Sequence, residues 1–274
     1  MTDVNADLVN ELVESGLDRR EARWLVEEFA PGRSESTPAL TGAAERRRGG
    51  EPLQYVLGHW PFRSLDLLVD ERALIPRPET EELVGVALAE LARGDVAWPL
   101  IVDLGCGTGA LGLSILDELR SVGVVATLIA LDDSEDALVL ARENARRHDL
   151  LNVSFVHSSW FDGLDESLRG RVDLVVANPP YVGALEFEQL DPVLRFEPRG
   201  AIVAADVNGV EGFADLEVIV RESYGWLRPG GALICEHASA HRSPVTTLAR
   251  ATGFVSVVDL DDLAGLPRIM VASR

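Results

Sequence analysis

From Glu79 to the C-terminal end, short apolar segments typical of strands alternate with longer segments of helical periodicity. Strands are predicted over residues 100–104, 125–131, 153–156, 172–177 and 232–236 and near Val255 and Ile269; helices are predicted over residues 79–91, 110–122, 134–148 and 212–227, with one more after residue 236. Such alternation indicates βαβ units, because consecutive parallel strands need a long crossover that a helix supplies. The pattern therefore predicts an α/β fold, a mostly parallel sheet with helices on both faces.

The first 77 residues have a different pattern. Apolar residues recur at helical spacing within residues 8–13, 22–29 and 39–48, which predicts short helices up to about residue 50. Residues 52–76, including Tyr55, Val56 and Leu57, suggest short strands separated by Gly58, Pro61 and Asp70. A chain of 274 residues can form one large domain or two unequal ones. We expect a small helical domain (1–50), a β-rich linker (51–77) and a larger α/β domain (78–274).

Charge and composition limit the possible functions. The chain carries 45 acidic and 25 basic residues, a net charge of −20, and every one of the 25 is arginine, which excludes lysine-based catalysis. Such a negative field repels phosphate backbones at long range, so nucleic-acid binding is disfavoured. The longest mainly apolar run, residues 122–131, is far shorter than the roughly 20 residues of a membrane helix. The first residues have neither a basic start nor an apolar segment, so we expect a soluble cytoplasmic protein.

Cysteine and histidine give no sign of a metal site. Cys106 and Cys235 lie far apart in the chain and form no disulfide framework. The five histidines, His59, His148, His157, His237 and His241, show no ligand spacing. We therefore predict no metal.

A glycine-rich loop, residues 105–109 (GCGTG), lies between the first strand of the alternating part and a helix. Glycine lets a backbone turn tightly and approach a ligand closely. The spacing G-x-G-x-G departs from the dinucleotide fingerprint by one residue, so a nicotinamide site remains possible, as does simple loop geometry. Asp132 ends the next strand, where a carboxylate can accept both ribose hydroxyls; Asp133 is the alternative, and both could merely cap the following helix. Together the loop and the acid indicate an adenosine-containing cofactor.

A second polar segment, Asn178-Pro179-Pro180-Tyr181, directly follows the strand over residues 172–177. Ligands of open α/β sheets bind at the carboxyl ends of the strands. Two prolines fix the backbone and remove two amide donors, while the Asn178 side chain offers an acceptor and Tyr181 a flat face. The segment could be an ordinary proline turn, but beside the glycine loop it is better suited to hold a planar group that bears an NH2.

Together, these two segments resemble those of S-adenosylmethionine-dependent methyltransferases that methylate planar amino groups, either base amines or glutamine amides. A further signature narrows the resemblance. Residues 50–58 (GEPLQYVLG), Phe62 and residues 74–81 (LIPRPETE), with Leu83 and Val84, are similar to the HemK/PrmC family of protein-(glutamine-N5) methyltransferases. Residues 195–199 (RFEPR) and 262–268 (DLAGLPR) agree as well. The similarity extends from about Gly50 to the C-terminal end.

The resemblance implies a class I, Rossmann-like methyltransferase fold, with a mostly parallel sheet and a reversed C-terminal strand, and S-adenosyl-L-methionine as the cofactor. It implies that the glycine loop surrounds the methionine part of the cofactor, that Asp132 holds its ribose and that Trp160 lies beside its adenine. The cofactor set is Gly105, Cys106, Gly107, Thr108, Gly109, Asp132, Trp160 and Asn178; the substrate set is Asn178, Pro179, Pro180 and Tyr181. The resemblance also implies that residues 78–274 of this chain form the catalytic domain and that its N-terminal helices recognise the substrate.

Three positions depart from the family pattern. Ser159 stands where the family often has an acid that contacts the adenine. Residues 236–238 (EHA) lack the usual glycine after the strand. The N-terminal helical part is shorter than the family leads us to expect, which concerns the recognition of the substrate.

The resemblance further implies methylation of a glutamine side-chain nitrogen in a protein, with the Gly-Gly-Gln glutamine of class I peptide chain release factors as the main expectation. A ribosomal-protein glutamine is the alternative; a DNA or RNA base, or a cofactor-binding adaptor without activity, would be a different class. An amide nitrogen is a poor nucleophile, so orientation and desolvation are the main tasks. We expect Asn178 Oδ1 and the Pro179 carbonyl to accept the two amide hydrogens and Tyr181 to cover the amide, with no evident general base; Asn178, Pro179 and Tyr181 are the predicted catalytic residues.

Overall fold

The computed structural model describes residues 5–94 and 96–274, so the first four residues of the predicted helical domain lie outside the described part. Four helices come first: α1 (Ala6–Glu14), α2 (Arg19–Phe29), α3 (Pro38–Arg48) and α4 (Leu53–Leu57). The Asp18 side chain caps α2 by accepting from the Arg20 and Glu21 amides, and the Thr37 side chain caps α3. Apolar residues of all four helices form a separate hydrophobic cluster. The predicted division of the chain at residues 50 and 77 stays a prediction.

The expected strand at Tyr55, Val56 and Leu57 is wrong, because these residues form the short helix α4. Pro52 begins this helix, and Gly58, in the left-handed conformation, ends it. Leu53 and Val56, three residues apart, both face the cluster of the other helices. Helical spacing therefore outweighs the high strand propensity of tyrosine and valine here.

The predicted strands of the linker form a hairpin, β1 (His59–Phe62) and β2 (Leu65–Leu68). Phe62, Leu65 and Leu67 are buried in the main core. Arg63 makes a bidentate ion pair with Glu118 at 2.6 and 2.7 Å, on the first helix after the glycine loop. The hairpin is thus packed against the α/β part.

The alternating part follows the predicted order: α5 (Pro78–Arg93), β3 (Leu100–Leu104), α6 (Ala110–Ser121), β4 (Thr127–Asp132), α7 (Glu135–Arg147), β5 (Val153–His157), β6 (Val172–Ala177), α8 (Ala184–Phe187), α9 (Ala214–Trp226), β7 (Leu227–Glu236), α10 (Arg242–Thr252), β8 (Ser256–Asp261) and β9 (Pro267–Ser273). The seven strands lie in the order β5-β4-β3-β6-β7-β9-β8. Of these seven strands, β9 alone runs in the opposite direction, and it pairs antiparallel with both β7 and β8. This confirms the mostly parallel sheet with a reversed C-terminal strand.

Element boundaries differ from the sequence predictions mainly at β4 and β7. β4 begins at Thr127, not at Val125, and Asp132 is its last residue. β7 already begins at Leu227, where it pairs with Val172, and an irregularity follows before regular pairing resumes at Ala232 and Leu174. The residues of this irregularity include Pro229 and Gly230, which is why the sequence pattern does not indicate a strand there.

Two hydrophobic cores cover the two faces of the sheet. One contains apolar residues of α5, α6 and α7 together with the hairpin. The other contains those of α9 and α10 and the fully buried Trp226, on which Phe161 stacks. Among the described residues, the helices lack the length and apolar character that crossing a bilayer requires.

Candidate active site

Four parallel strands end at one edge of the sheet, and each has a candidate functional residue or loop at that end. The glycine loop follows β3, Asp132 ends β4, Asn178 follows β6 and Glu236 ends β7. Two cavities of about 330 and 210 Å³ lie at this edge. The two cavities share five lining residues and therefore adjoin: Leu74, Arg77, Asn178, Pro180 and Ala201.

The glycine loop has a backbone that only glycine adopts easily. Gly105, Gly107 and Gly109 have φ values of 67°, 54° and 83°. Side chains at left-handed φ cost roughly 1–2 kcal/mol per residue. Gly105, Cys106, Gly107 and Thr108 line the larger cavity; Gly109 does not, and it has a packing reason of its own, because a Cβ there would lie 2.6 Å from Leu113 Cδ1.

Asp132 joins the glycine loop to the start of α7. Its Oδ2 accepts from the Gly107 amide at 2.8 Å and its Oδ1 from the Ser134 amide at 2.9 Å. Burial raises the pKa of this carboxyl, while the amide donors oppose the rise. The side chain that caps α7 is that of Ser134, which accepts from the Ala137 amide. Asp132 and the exposed Asp133 both line the larger cavity, and only Asp132 is buried.

Trp160 lies in the wall of the larger cavity with a strained backbone, at φ 43°. The Ser158 hydroxyl stabilises this turn by donating to the Trp160 carbonyl at 3.0 Å and accepting from the Gly163 amide. Burial raises the pKa of the Asp215 carboxyl, and the Trp160 indole opposes the rise. Ser159 and Asp215 line the same cavity. A carboxylate from α9 is therefore present in this wall, although residue 159 is not an acid.

The Asn178–Tyr181 segment lies at the junction of the two cavities. All four residues line the smaller cavity, and Asn178 and Pro180 also line the larger one. The backbone of this segment is supported by Gly212, where a Cβ would lie 2.5 Å from the Tyr181 carbonyl oxygen. The structure thus brings the predicted substrate residues together beside the predicted cofactor residues.

A buried hydrogen-bond network supports this segment from below. Asn178 Nδ2 donates to Thr80 Oγ1 at 3.0 Å, Thr80 Oγ1 donates to Glu236 Oε2 at 2.8 Å, and the Tyr181 hydroxyl donates to Glu236 Oε1 at 3.1 Å. Glu236 is 1% exposed. Burial raises its pKa, and the two hydroxyl donors and Arg268 oppose the rise. Burial likewise raises the pKa of the Tyr181 phenol well above its usual range.

A second buried carboxylate fixes the wall that both cavities share. Glu197 accepts from the Ile75 amide at 2.9 Å and from Arg77 Nη2 at 2.5 Å. It connects the segment before α5 with the long connection between β6 and α9. Arg77 therefore keeps a fixed place between the two cavities.

No sequence pattern assigns a role to Thr80, Glu197, Asp215 or Glu236. Glu236 could have been found, because it ends a strand next to β6 at the carboxyl edge of the sheet. Thr80 and Glu197 lie in the segments that carry the family resemblance, but no local pattern shows that they contact the site. Asp215 gives no local signal.

Asp103 lies directly below the glycine loop. It is 1% exposed, lines the larger cavity and accepts from the Gly112 amide at 2.9 Å. Burial raises the pKa of this carboxyl to about 7. The charge of this side chain can therefore change near neutral pH.

The larger cavity fits an adenosine-bearing cofactor. Gly105 and Gly107 let the backbone line the cavity without side chains, Asp132 supplies a carboxylate fixed by two amides, and Trp160 supplies an aromatic ring in the wall. Among the described residues, no three His, Cys, Asp or Glu side chains are grouped so that they could hold a metal ion.

Comparisons with known proteins agree with this geometry. Residues 100–253 match a family described as a methyltransferase domain. The release factor glutamine methyltransferase of Yersinia pestis is 41% identical over 231 residues, which cover 84% of this chain and 78% of that protein. The protein of the same name from Salmonella typhimurium is 36% identical over 277 residues, which cover 96% of this chain and 95% of that protein.

Solved structures show the same fold. The N-terminal domain of human METTL16 has a TM-score of 0.58 at 14% identity and covers 97% of this chain and 92% of that chain. The 16S rRNA N2 G1207 methyltransferase of T. thermophilus, in complex with AdoMet and guanosine, has a TM-score of 0.56 at 18% identity and covers 79% of this chain and 49% of that chain.

Fold, family match and site geometry define a class I S-adenosylmethionine-dependent methyltransferase. Within that class, the chain belongs to the release factor glutamine methyltransferase family, to whose members it is 35–41% identical over most of its length.

Proposed function

We propose that this enzyme transfers a methyl group from S-adenosyl-L-methionine to the side-chain nitrogen (N5) of a glutamine in a protein, the Gly-Gly-Gln glutamine of class I peptide chain release factors. The observation that carries the proposal is the orientation of Asn178. Its Nδ2 donates to Thr80, which leaves Oδ1 as an acceptor at the junction of the two cavities. A primary amide presents two N–H donors and suits such an acceptor. The names of the relatives support the same substrate.

We assign the larger cavity to the cofactor. Residues 105–108 would hold its methionine part, Asp132 its ribose and Trp160 its adenine, with Asn178 beside it, while Gly109 only lets the loop pack on Leu113. When bound, S-adenosylmethionine supplies a methyl group that its sulfonium already activates for transfer. The protein therefore does not need to activate this group further.

In the smaller cavity, we assign the substrate amide to Asn178, Pro179, Pro180 and Tyr181. Asn178 Oδ1 and the Pro179 carbonyl accept its two hydrogens and direct its nitrogen towards the larger cavity. Tyr181, held by Glu236, covers the amide plane and keeps water away. Apolar residues of the same cavity, including Leu190, Leu194 and Ile202, exclude water further. Orientation of this kind can contribute a large part of the rate enhancement.

We assign recognition of the protein substrate to the N-terminal helices and catalysis to residues 78–274. The helices have a hydrophobic core of their own, which leaves their outer surfaces available for a partner. The hairpin, which is packed against the main core, connects the two parts.

The test is methyl transfer to a bacterial class I release factor, followed by mass spectrometry of the peptide that contains its Gly-Gly-Gln sequence. One added methyl group on that glutamine is the expected result. The Asn178→Ala variant should lose at least about 100-fold in the rate of transfer, because the acceptor that orients the amide is gone, while it still binds the cofactor. Binding is measured by isothermal titration.

Two results would contradict the proposal. If the wild-type enzyme binds the cofactor and leaves the release factor unmodified, the substrate is a different one, with ribosomal-protein glutamines as the next to be assayed. If Asn178→Ala methylates at the wild-type rate, the assignment of the amide acceptor is wrong.

A further inference from the structure

A buried carboxylate lies behind the proposed amide site, out of contact with both cavities. Glu236, at the end of β7, is 1% exposed and is not among the residues that line either cavity. It accepts from two hydroxyls that belong to distant segments, Thr80 in the first turn of α5 and Tyr181 after β6. Its two oxygens thus support two different residues near the substrate.

When Glu236 is ionised, the protons of this network have one consistent arrangement. A carboxylate only accepts hydrogen bonds, so Thr80 and Tyr181 must each donate their single hydroxyl proton to Glu236. The Thr80 oxygen can then only accept further bonds, and the group that reaches it from Asn178 must be the NH2. The Asn178 carbonyl oxygen consequently faces away from Thr80.

A carboxylate in this position is costly unless it is fully hydrogen-bonded. Two hydroxyl donors, with the guanidinium of Arg268 nearby, partly compensate for its burial. A neutral apolar side chain could fill the volume of Glu236, but it would leave the direction of both hydroxyls undetermined.

We propose that Glu236 and Thr80 are positioning residues, which hold Asn178 with its carbonyl oxygen, and not its NH2, towards the substrate amide. Glu236 acts on Asn178 through Thr80 and on Tyr181 directly. This inference rests on the proposed function and adds to it the residues that fix the polarity of the amide site. Neither residue takes part in the transfer step.

Two variants test the network. Thr80→Val keeps the shape of the side chain and removes the acceptor for Asn178 Nδ2. Glu236→Gln keeps the volume and replaces one acceptor oxygen by an NH2, so that one of the two hydroxyls no longer has an acceptor for its proton. Thr80→Ser restores the hydroxyl. Thr246→Val is the matched control, because Thr246 is a buried threonine of α10 whose hydroxyl bonds to the Arg242 carbonyl at 2.7 Å, away from both cavities.

The first readout is the single-turnover rate at saturating cofactor and release factor, with the cofactor Kd measured separately. Thr80→Val and Glu236→Gln should each lower the rate by about tenfold or more, because each removes one hydrogen bond of the network. The cofactor Kd should stay within about threefold of the wild type, because this bond matters for the transfer step. Thr80→Ser and Thr246→Val should stay within about threefold of the wild-type rate. Wild-type rates for Thr80→Val and Glu236→Gln would overturn the proposal, as would a loss of cofactor binding that parallels the loss of rate.

The second readout does not depend on the substrate. The side-chain NH2 of Asn178 is observed by NMR, its signal identified by its absence in Asn178→Ala, and its hydrogen exchange is measured. Thr80→Val should accelerate this exchange by about tenfold, whereas Thr80→Ser should not. Unchanged exchange in Thr80→Val overturns the network. An unmodified release factor together with accelerated exchange in Thr80→Val contradicts the proposed function and leaves the network intact.

Discussion

The two loops that form the site are stabilised in different ways. The glycine loop is stabilised within its own βαβ unit. Its glycines adopt positive φ values, the Asp132 carboxylate at the end of the next strand accepts a hydrogen bond from it, and it packs on α6. The Asn178–Tyr181 segment is held by side chains far away in sequence, Thr80 on α5 and Glu236 on β7. Damage to the first loop should affect mainly binding of the cofactor, and damage to the second mainly the rate of transfer.

Among the glycine variants, the largest effect is expected for Gly212→Ala, which disturbs the Asn178–Tyr181 segment. Gly212 has a φ of 62°, and a Cβ there would lie 2.5 Å from the Tyr181 carbonyl oxygen and 2.9 Å from the Gly183 nitrogen. Because both neighbours are backbone atoms, the segment must shift. We expect a loss of about 2 kcal/mol in the free energy of unfolding and a decrease of at least about tenfold in the single-turnover rate. Urea unfolding and the methyl-transfer assay measure the two effects.

The control for this variant is Gly42→Ala on α3, where a Cβ meets no atom within 4 Å. It should keep the wild-type rate. A Gly212→Ala enzyme with the wild-type rate but weaker cofactor binding would reverse the division of roles between the two loops.

A smaller effect is expected for Gly107→Ala, which disturbs the glycine loop. Its φ of 54° strains an alanine, and its amide donates to Asp132. The cofactor Kd should rise by up to about tenfold, because the free loop can relieve about 1–2 kcal/mol of strain by leaving the conformation that binds the cofactor, while the rate at saturating cofactor stays close to that of the wild type. Isothermal titration and single-turnover kinetics separate the two.

Gly123→Ala is the matched control for Gly107→Ala, because its φ is 80° and a Cβ there meets nothing within 4 Å. It should lose a similar amount of stability without any change in cofactor affinity. Equal affinity of the Gly107→Ala and wild-type enzymes would show that the loop does not need glycine at this position to bind the cofactor.

The smallest effect concerns Asp103, below the glycine loop. The pKa of its carboxyl rises from 3.8 to about 7 on folding, so the folded state holds the proton over a pH range in which the unfolded state has lost it. Stability must therefore fall as pH rises from about 4 to about 7, by about 1 kcal/mol per pH unit from this group, and change no further above that range. Asp103→Asn removes this contribution. Urea unfolding at pH 5.5 and 6.5 should show Asp103→Asn gaining about 1 kcal/mol relative to the wild type, and parallel pH dependences would contradict the assignment.

The sequence predicts the parts of this molecule that depend on short-range patterns. The order of strands and helices along the chain, the glycine loop and the position of Asp132 follow from apolar periodicity and from glycine spacing within about 30 residues. The helix α4 was missed because two aromatic or β-branched residues favour a strand, and only contact with the distant helical cluster decides the outcome. No sequence pattern predicts that Thr80 contacts Glu236, since this is a hydrogen bond between residues 156 positions apart.

Segments before α5 bear on how the enzyme could be re-engineered. The predicted boundary between linker and catalytic domain falls at residues 77 and 78, yet Arg72–Arg77 line the larger cavity and Ile75 and Arg77 bond to Glu197. A chimaera joined at that boundary would bring a foreign wall into the cofactor cavity, whatever recognition region it carried. Exchange of the N-terminal helices, to which we assign substrate recognition, should instead use a junction upstream of Arg72, so that the whole cavity is inherited from one parent.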